Sequence, residues 1–197
     1  MNALILVDIQ NDFLAGGPLA VPDGEEIFSG VQRLIDGHPL VVATQDWHPP
    51  GHGSFASSHA GRRAGELVEL AGHAQVLWPD HCVQGTPGAA FSTALDLRTI
   101  RAIVRKGTQM DTDSYSGFFD DNGAPTGLDG LLRQLGAHSL TIVGLATDYC
   151  VKATVIDALR LGYSVTVESA ACRAVNIQPG DGAAAFQEMA NAGAAVR

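Results

Sequence analysis

The stretch "TIVGLATDYCVKATVIDAL", residues 141–159, joins two kinds of local pattern. It begins with a short run of β-branched and aliphatic residues, which favours a buried strand. Apolar residues then recur from Val151 to Leu159 at the spacing of an amphipathic helix. A strand that turns through a glycine into a helix is the repeating unit of α/β proteins. The stretch therefore predicts an α/β fold and places Cys150 just past the turn.

The same alternation of strands and helices continues outward along the chain. The predicted strands are 3–8, 40–44, 100–105, 139–145 and 163–168, and the predicted helices are 25–36, 128–135, 148–161 and 182–192. Strands this uniformly apolar are typical of a parallel sheet that is covered on both faces. We expect a three-layer αβα fold with a mostly parallel central sheet. No repeat or linker divides the chain, so residues 1–197 are expected to form a single domain. Asp181 is the expected N-cap of the last helix, and Gly162 and Gly193 are the expected C-caps.

Composition argues against several classes of partner. The net charge is −9, with 21 acidic and 12 basic residues, and no basic run occurs, which disfavours nucleic acid and anionic membranes. Residues 1–10 lack a positively charged segment, and Asp8 interrupts their apolar run, so they do not resemble a signal peptide. No apolar run approaches the roughly 20 residues of a membrane span. Three separated cysteines, Cys82, Cys150 and Cys172, do not form a disulfide framework. These features predict a soluble, cytoplasmic protein.

Two connections, 45–77 and 107–127, are long and rich in Gly, Pro, His, Asp and Ser. Loops of such length in a compact domain usually carry function. In an open parallel sheet, ligands bind outside the carboxyl ends of the strands. Polar or reactive residues follow four of the predicted strands, namely Asp8, Asp46 with His48, Lys106 and Cys150. We expect these side chains to converge in space.

Cys150 has two interpretations. Free cysteines are usually buried and serve as packing residues. In the first turn of a helix, however, the macrodipole and free backbone N–H groups favour a thiolate. The preceding residues 144–148 could also direct backbone N–H groups at one point, as in an oxyanion hole. The residues alone leave both interpretations open.

Asp8 and Lys106 end two of the predicted strands. A carboxylate at the end of an apolar strand either caps the following segment or is buried, and burial raises its pKa and suits it to proton transfer. A lone lysine is usually a solvated surface residue. Beside an aspartate and a thiol it could instead hold both groups in their working charge states.

A second cluster of candidate residues lies in "QDWHPPGHGSF", 45–55, and "WPDHC", 78–82. Asp46 and His48 lie at positions i and i+2 of an extended segment, so their side chains point to the same side. His81 would add a second imidazole. Two imidazoles and one carboxylate leave open positions on a metal ion, as in catalytic zinc or non-haem iron sites. Among seven histidines such spacing also arises by chance, so the spacing alone does not establish a metal site.

Several motifs together resemble one family. They are "LILVDIQNDFLAGG", "VVATQDWHPPGHGSFA", "WPDHCVQGTPGA", "RKGT" followed by "DSYSGFFD", "GLATDYCVKATVIDAL" and "CRAVNIQPGD". In order and spacing they resemble the nicotinamidase branch of the isochorismatase-like cysteine hydrolases.

The resemblance implies a role for ten residues. The implied sets are a catalytic triad of Asp8, Lys106 and Cys150; metal ligands Asp46, His48 and His81; oxyanion-hole N–H groups of Ala146 and Cys150; and pocket residues Phe13, Trp78 and Tyr115. A cis peptide between Leu145 and Ala146 is implied as well.

The implied reaction is hydrolysis of nicotinamide to nicotinate and ammonia through a thioester, in NAD salvage, with pyrazinamide as a further substrate. The resemblance implies one divalent metal ion, with zinc expected and iron or manganese as alternatives. The ion would orient the pyridine ring, and the sequence leaves open whether it also activates water. A homo-oligomer is compatible with the resemblance.

Other branches of the family differ in these residues. Isochorismatases lack both the cysteine and the metal trio, and relatives that cleave carbamoyl groups keep the triad without the metal trio. The presence of both sets therefore favours nicotinamide as the substrate, although two other functions remain open. A hydrolase of another small amide, such as pyrazinamide or a ureido compound, would need a similar site. A non-catalytic protein that binds a metal or a purine-like ligand could also use an α/β scaffold.

Overall fold

A six-stranded sheet forms the centre of the computed structural model, which describes residues 1–197. In chain order the elements are β1 (Asn2–Val7), α1 (Phe28–Gly37), β2 (Val41–Asp46), β3 (Leu67–Leu70), β4 (His73–Val76), β5 (Ala102–Lys106), α2 (Leu128–Gln134), β6 (Ser139–Leu145), α3 (Lys152–Arg160), β7 (Ser164–Arg173), α4 (Asp181–Asn191) and β8 (Ala195–Val196). The strand order is β5-β2-β1-β6-β7-β8, and every neighbouring pair in this sheet is parallel. Strands β3 and β4 form a separate antiparallel hairpin. The predicted α/β fold with a mostly parallel sheet is confirmed.

The central strands are buried on both faces. Every residue of β1 from Ala3 to Val7 is fully buried. Crossovers between parallel strands are nearly always right-handed, so the strand order puts α1 on one face of the sheet. It puts α2, α3 and α4 on the other face, because their connections cross the sheet in the opposite direction. The resulting core cluster contains 41 buried residues, drawn from the strands and from the inner faces of the helices.

Strands β1 and β6 meet at the point where the order of the sheet reverses. In open α/β sheets such a switch point is where ligands bind. Val7 pairs with Gly144 there, and a Cβ atom on Gly144 would lie only 2.1 Å from the Val7 carbonyl oxygen. Glycine is required for this close approach, which brings Asp8 beside the turn that follows β6.

Several element boundaries differ from the predicted ones. Asp46 and Lys106 are the last residues of β2 and β5, where they pair in register, and do not lie beyond the strand ends. A π-helical turn, Thr147–Val151, precedes α3, so Cys150 lies in that turn and not in the first turn of an α-helix. The predicted helix from residue 25 begins as a 3-10 turn, Gly24–Ile27.

The hairpin of β3 and β4 and the short strand β8 were not predicted. The hairpin is mostly exposed, so its sequence lacks a strong apolar alternation, although Gln75 is buried. The predicted N-cap of α4 is wrong. Gly180, with φ +98°, occupies that position, and the Asp181 carboxylate instead accepts the Gln178 N–H. The two predicted C-terminal glycines do follow α3 and α4 in the left-handed conformation. The structure contains no helix with the length and apolar character needed to cross a membrane.

Candidate active site

The predicted strand-end residues converge on one cavity at the carboxyl edge of the sheet. Its lining residues are Phe13, Leu19, Asp46, His48, Trp78, His81, Asp113, Tyr115, Ala146, Tyr149, Cys150 and Val175. Eight of the ten predicted site residues are among them. The other two, Asp8 and Lys106, are buried side chains that contact residues of this lining.

Lys106 joins the two predicted groups of residues. Its Nζ lies 3.0 Å from Asp8 Oδ2, 2.5 Å from Asp46 Oδ1 and 3.4 Å from Cys150 Sγ, and it donates to the Ser114 carbonyl at 2.7 Å. Burial alone would lower the pKa of Lys106, but the two carboxylates outweigh it and hold that pKa well above the ordinary value. The ammonium therefore stays charged within the site.

Asp8 has one satisfied and one free carboxylate oxygen. The Thr44 hydroxyl donates to Oδ1 at 2.6 Å, whereas Oδ2 accepts no well-aligned hydrogen bond despite its contact with Lys106. A carboxylate oxygen of Asp8 also lies within 4.8 Å of the Cys150 sulfur. Burial raises the pKa of Asp8, and Lys106 only partly opposes this. The geometry therefore offers a proton acceptor next to the thiol.

The surroundings of the Cys150 thiol favour its protonated form. Burial raises its pKa well above the ordinary value, although the charge of Lys106 lowers it. The expectation that a helix start favours a thiolate is therefore wrong here, because full burial beside the carboxylates of Asp8 and Asp46 outweighs the cation. This thiol needs a base before it can attack.

The turn after β6 presents backbone N–H groups beside the sulfur. The peptide between Leu145 and Ala146 is cis, as the resemblance implied. The Ala146 carbonyl accepts the N–H groups of Tyr149 and Val151, whereas the Ala146 N–H has no acceptor within the protein. Because Ala146 lines the cavity with Cys150, its N–H is available to a ligand atom there.

Asp46, His48 and His81 form a group that can hold a divalent metal ion. The Nε2 atoms of His48 and His81 lie 3.5 Å and 3.8 Å from Asp46 Oδ2. The Nδ1 atoms donate to the carbonyls of Gly107 at 2.9 Å and Pro79 at 2.8 Å. Each imidazole therefore directs its remaining lone pair toward the carboxylate, which is the arrangement of histidine ligands to metals. A Cβ atom on Gly107 would lie 2.4 Å from His48 Cε1, so glycine is needed at that position.

A second group of metal-binding side chains, His48, His52 and Asp113, lies next to the first. His52 is not available as a ligand. Its Nδ1 accepts the Ser54 N–H at 3.2 Å, so its Nε2 must carry the proton that it shares with the Thr112 carbonyl at 3.3 Å. The His52 ring instead packs against His48, with ring centroids 4.5 Å apart.

Aromatic rings form the remaining walls. Phe13, Trp78 and Tyr115 all line the cavity, and the Trp78 Nε1–H donates to the Tyr115 hydroxyl at 3.0 Å. Tyr149, which the sequence interpretation missed, packs edge-on against Trp78 at 4.8 Å. Its place in "TDYC", next to the candidate nucleophile, could have indicated a site residue. The direction of its side chain, however, depends on the π-helical turn, which the sequence analysis did not predict.

Sequence comparisons show which known proteins this chain resembles. The sequence profile of the isochorismatase domain matches residues 2–197. The nicotinamidase of Escherichia coli is 51% identical over 98% of this chain and 92% of its own length. The nicotinamidase of Acinetobacter baylyi is 45% identical over 97% of this chain and 89% of its own length.

Solved structures are similar over nearly the whole chain. A nicotinamidase and pyrazinamidase of Acinetobacter baumanii superposes with a TM-score of 0.95 at 41% identity, covering 99% of this chain and 94% of that one. The yeast nicotinamidase bound to the inhibitor nicotinaldehyde gives a TM-score of 0.93 at 33% identity, covering 100% and 99%. The pyrazinamidase of Pyrococcus horikoshii in complex with zinc gives 0.82 at 38% identity, covering 100% and 98%.

Proposed function

The chain belongs to the isochorismatase domain family, and from that premise we propose that it is a nicotinamidase. It is a cysteine amidohydrolase that converts nicotinamide and water to nicotinate and ammonia. The observation that carries this proposal is that Lys106 contacts the reactive pair, Asp8 and Cys150, and also Asp46 of the metal-binding group. A thiol nucleophile and a metal-binding group thus face one cavity walled by aromatic rings.

Acylation begins with proton transfer. The free oxygen of Asp8 takes the Cys150 proton, and the thiolate attacks the carboxamide carbon. The carbonyl oxygen becomes an oxyanion, which accepts the backbone N–H groups of Ala146 and Cys150. Loss of one such donor typically raises the barrier by about 3 kcal/mol. Asp8 then returns the proton to the departing ammonia, and a thioester on Cys150 remains.

Deacylation uses the same groups in reverse. Asp8 accepts a proton from water as the water attacks the thioester, and the thiolate leaves and is reprotonated. Lys106 does not transfer a proton in either half. Its fixed charge stabilises the anionic partners while the negative charge moves between carboxylate, sulfur and oxyanion.

The metal-binding group fits a zinc ion. Asp46, His48 and His81 would hold it with the donor types of a catalytic zinc site, and the carbonyls of Gly107 and Pro79 fix both rings. When bound, such an ion supplies a Lewis acid that binds and orients a ring nitrogen. Iron and manganese are alternatives that the same ligands accept.

The aromatic walls fit a flat heteroaromatic amide. Phe13, Trp78 and Tyr115 line the same cavity as the Cys150 sulfur and the metal-binding group, so the ring nitrogen and the carboxamide of one substrate can be held together. Pyrazinamide shares both features and is a second expected substrate. We propose that residues 1–197 act as one domain in NAD salvage in the cytoplasm.

Ammonia release from a panel of amides tests this function. Nicotinamide and pyrazinamide should be hydrolysed, whereas benzamide, which matches nicotinamide in shape but lacks the ring nitrogen, should be a poor substrate. Removal of metal with a chelator should suppress nicotinamide hydrolysis, and added zinc should restore it. Faster turnover of a ureido compound than of nicotinamide would instead assign the chain to another amide class. Full activity after complete metal removal would refute the role of the metal-binding group.

A further inference from the structure

Asp113 is a buried carboxylate in the cavity wall that the reaction described above does not use. It is 4% exposed, and both of its oxygens accept hydrogen bonds. Oδ1 accepts the Ser114 N–H at 2.8 Å, and Oδ2 accepts the Gln75 side-chain amide at 3.1 Å. Both oxygens of Asp113 therefore face hydrogen-bond donors, and neither has an acceptor as a partner.

This carboxylate lies beside the metal-binding group without joining it. One Asp113 oxygen is within 4.8 Å of a His48 nitrogen and a His52 nitrogen. His52 has no free lone pair, and the one free lone pair of His48 is directed at Asp46. The group formed by Asp46, His48 and His81 does not include Asp113. Asp113 can therefore influence a bound cation through its charge and not as a ligand.

The charges buried around the cavity indicate what that influence is. Of the four buried carboxylates, Asp8, Asp46 and Asp113 belong to groups of side chains that could hold a metal ion, and Lys106 is the buried ammonium group beside them. The fourth, Asp148, belongs to no such group and accepts the backbone N–H groups of Val175 and Asn176. With neutral imidazoles, the first three carboxylates and Lys106 leave two excess negative charges, which one divalent cation balances. Without Asp113 the same cation would bring a net positive charge into a buried site, which is unfavourable.

The position of Asp113 is fixed by the hairpin of β3 and β4. Gln75 of β4 is 1% exposed, and its amide donates to Asp113 Oδ2, to the Val76 carbonyl at 2.7 Å and to the Tyr115 hydroxyl at 2.9 Å. The hairpin lies outside the main sheet, and Gln75 connects it to two residues that line the cavity, Asp113 and Tyr115. The neutral Gln75 side chain thus fixes the orientation of the Asp113 carboxyl group.

We propose that Asp113 is a positioning residue for the metal site, which strengthens the binding of a divalent cation by balancing its charge from outside the coordination group. The inference rests on the metal-dependent nicotinamidase proposed above. Gln75 contributes by holding the carboxylate in place.

Zinc affinity of the metal-free protein, measured by competition with a chelator and without substrate, tests this inference. Asp113→Asn keeps the shape and removes the charge, and we expect zinc to bind about 10–100-fold more weakly, as is usual when a partner of a metal ligand is lost. Asp113→Glu keeps the charge and should recover most of the affinity. The matched control is Asp121→Asn, which removes the same charge from the same loop but from outside the cavity lining, and it should change the affinity only slightly.

The outcomes separate this inference from the proposed function. Unchanged zinc affinity in Asp113→Asn would overturn the inference and leave the nicotinamidase assignment intact. An equal loss in Asp121→Asn would also overturn it, because the effect would then come from overall charge. A wild-type protein that does not bind zinc would overturn both the inference and the metal requirement.

If circular dichroism shows that Asp113→Asn does not fold, Gln75→Leu provides the test. It should weaken zinc binding without a change of charge, and unchanged affinity would count against the inference.

Discussion

The ends of β1 and β2 carry two buried carboxylates that share one lysine but differ in acidity. Burial raises the pKa of Asp8, and the single cation Lys106 does not overcome it. Burial also acts on Asp46, yet Lys106 and His48 together hold the pKa of Asp46 well below its ordinary value. The difference teaches that the side chains in contact with a carboxylate, and not burial alone, decide which carboxylate can accept a proton. Asp8 at the end of β1 is suited to proton transfer, and Asp46 at the end of β2 is suited to holding a cation.

Sheet topology explains how one lysine serves both ends. Lys106 ends β5 and pairs in register with Asp46 of β2, so these two groups are neighbours in the sheet. Asp8 lies one strand further, beyond the end of β1, in the left-handed conformation with φ +49°. The long lysine side chain spans β2 to reach it. The shared contact follows from the strand order β5-β2-β1.

The largest expected effect tests whether Cys150, which lies near Asp8 at the end of β1, carries the chemistry. Cys150→Ala should lower kcat/KM by roughly 10⁴-fold or more, because no other group can form the thioester. Zinc binding should not change, since Cys150 is not a member of the group formed by Asp46, His48 and His81. The matched control is Cys172→Ala, which removes a buried thiol outside the cavity lining and should remain active. Retained turnover in Cys150→Ala would contradict the nucleophile assignment.

The comparison itself is tested by the same substitution at both carboxylates. Asp8→Asn removes the base and should lower kcat by about 10²–10⁴-fold while leaving zinc affinity near that of the wild type. Asp46→Asn should instead release zinc and raise KM. Turnover and zinc content of the two purified variants, measured side by side, decide the matter. If Asp8→Asn lost zinc and Asp46→Asn lost only kcat, the roles given to the two strand ends would have to be exchanged.

A smaller effect is expected from the shared cation. Lys106→Ala should reduce kcat/KM by roughly 10²-fold, the usual scale for loss of one electrostatic contact. The pH profile gives the more specific result. Asp8 must be ionised to act as a base, and loss of the cation raises the pKa of Asp8 further, so the acidic limb should move to higher pH. Lys106→Arg keeps the charge but changes the hydrogen-bonding geometry, so it should lose activity only in part and keep the limb in place. A limb that moves to lower pH in Lys106→Ala would contradict the charge-holding role.

The sequence predicted the parts of this site that lie at the ends of apolar strands. Asp8 and Cys150 were found because an uninterrupted apolar run stops beside each of them, and parallel strands bring such ends together. Gln75 was not found, because its partners Asp113 and Tyr115 are 38 and 40 residues away and its hairpin is mostly exposed. The high pKa of the Cys150 thiol was also not predicted, because it depends on burial by segments that are remote in sequence. Local patterns thus predicted the site residues at the sheet edge but not the environment that sets their charges.

The smallest expected effect extends the comparison to a carboxylate without a bound cation. Asp121 forms no ion pair, and burial together with the nearby charge of Asp113 raises its pKa to about 6, although His73 and Lys106 oppose the shift. The folded protein therefore favours the protonated form. The stability that the folded protein gains from the protonated Asp121 carboxyl is present below the ordinary carboxyl pKa of 3.8 and is lost as the pH rises through about 6. Asp121→Asn should accordingly raise the free energy of unfolding at pH 7 by about 1 kcal/mol, a figure that allows for screening by solvent. Urea unfolding of both proteins at pH 7 and pH 4 measures the difference, which should shrink at the lower pH because the wild-type carboxyl is then neutral. An equal gain at both pH values would show that the effect comes from the amide and not from the charge of an unpaired carboxylate.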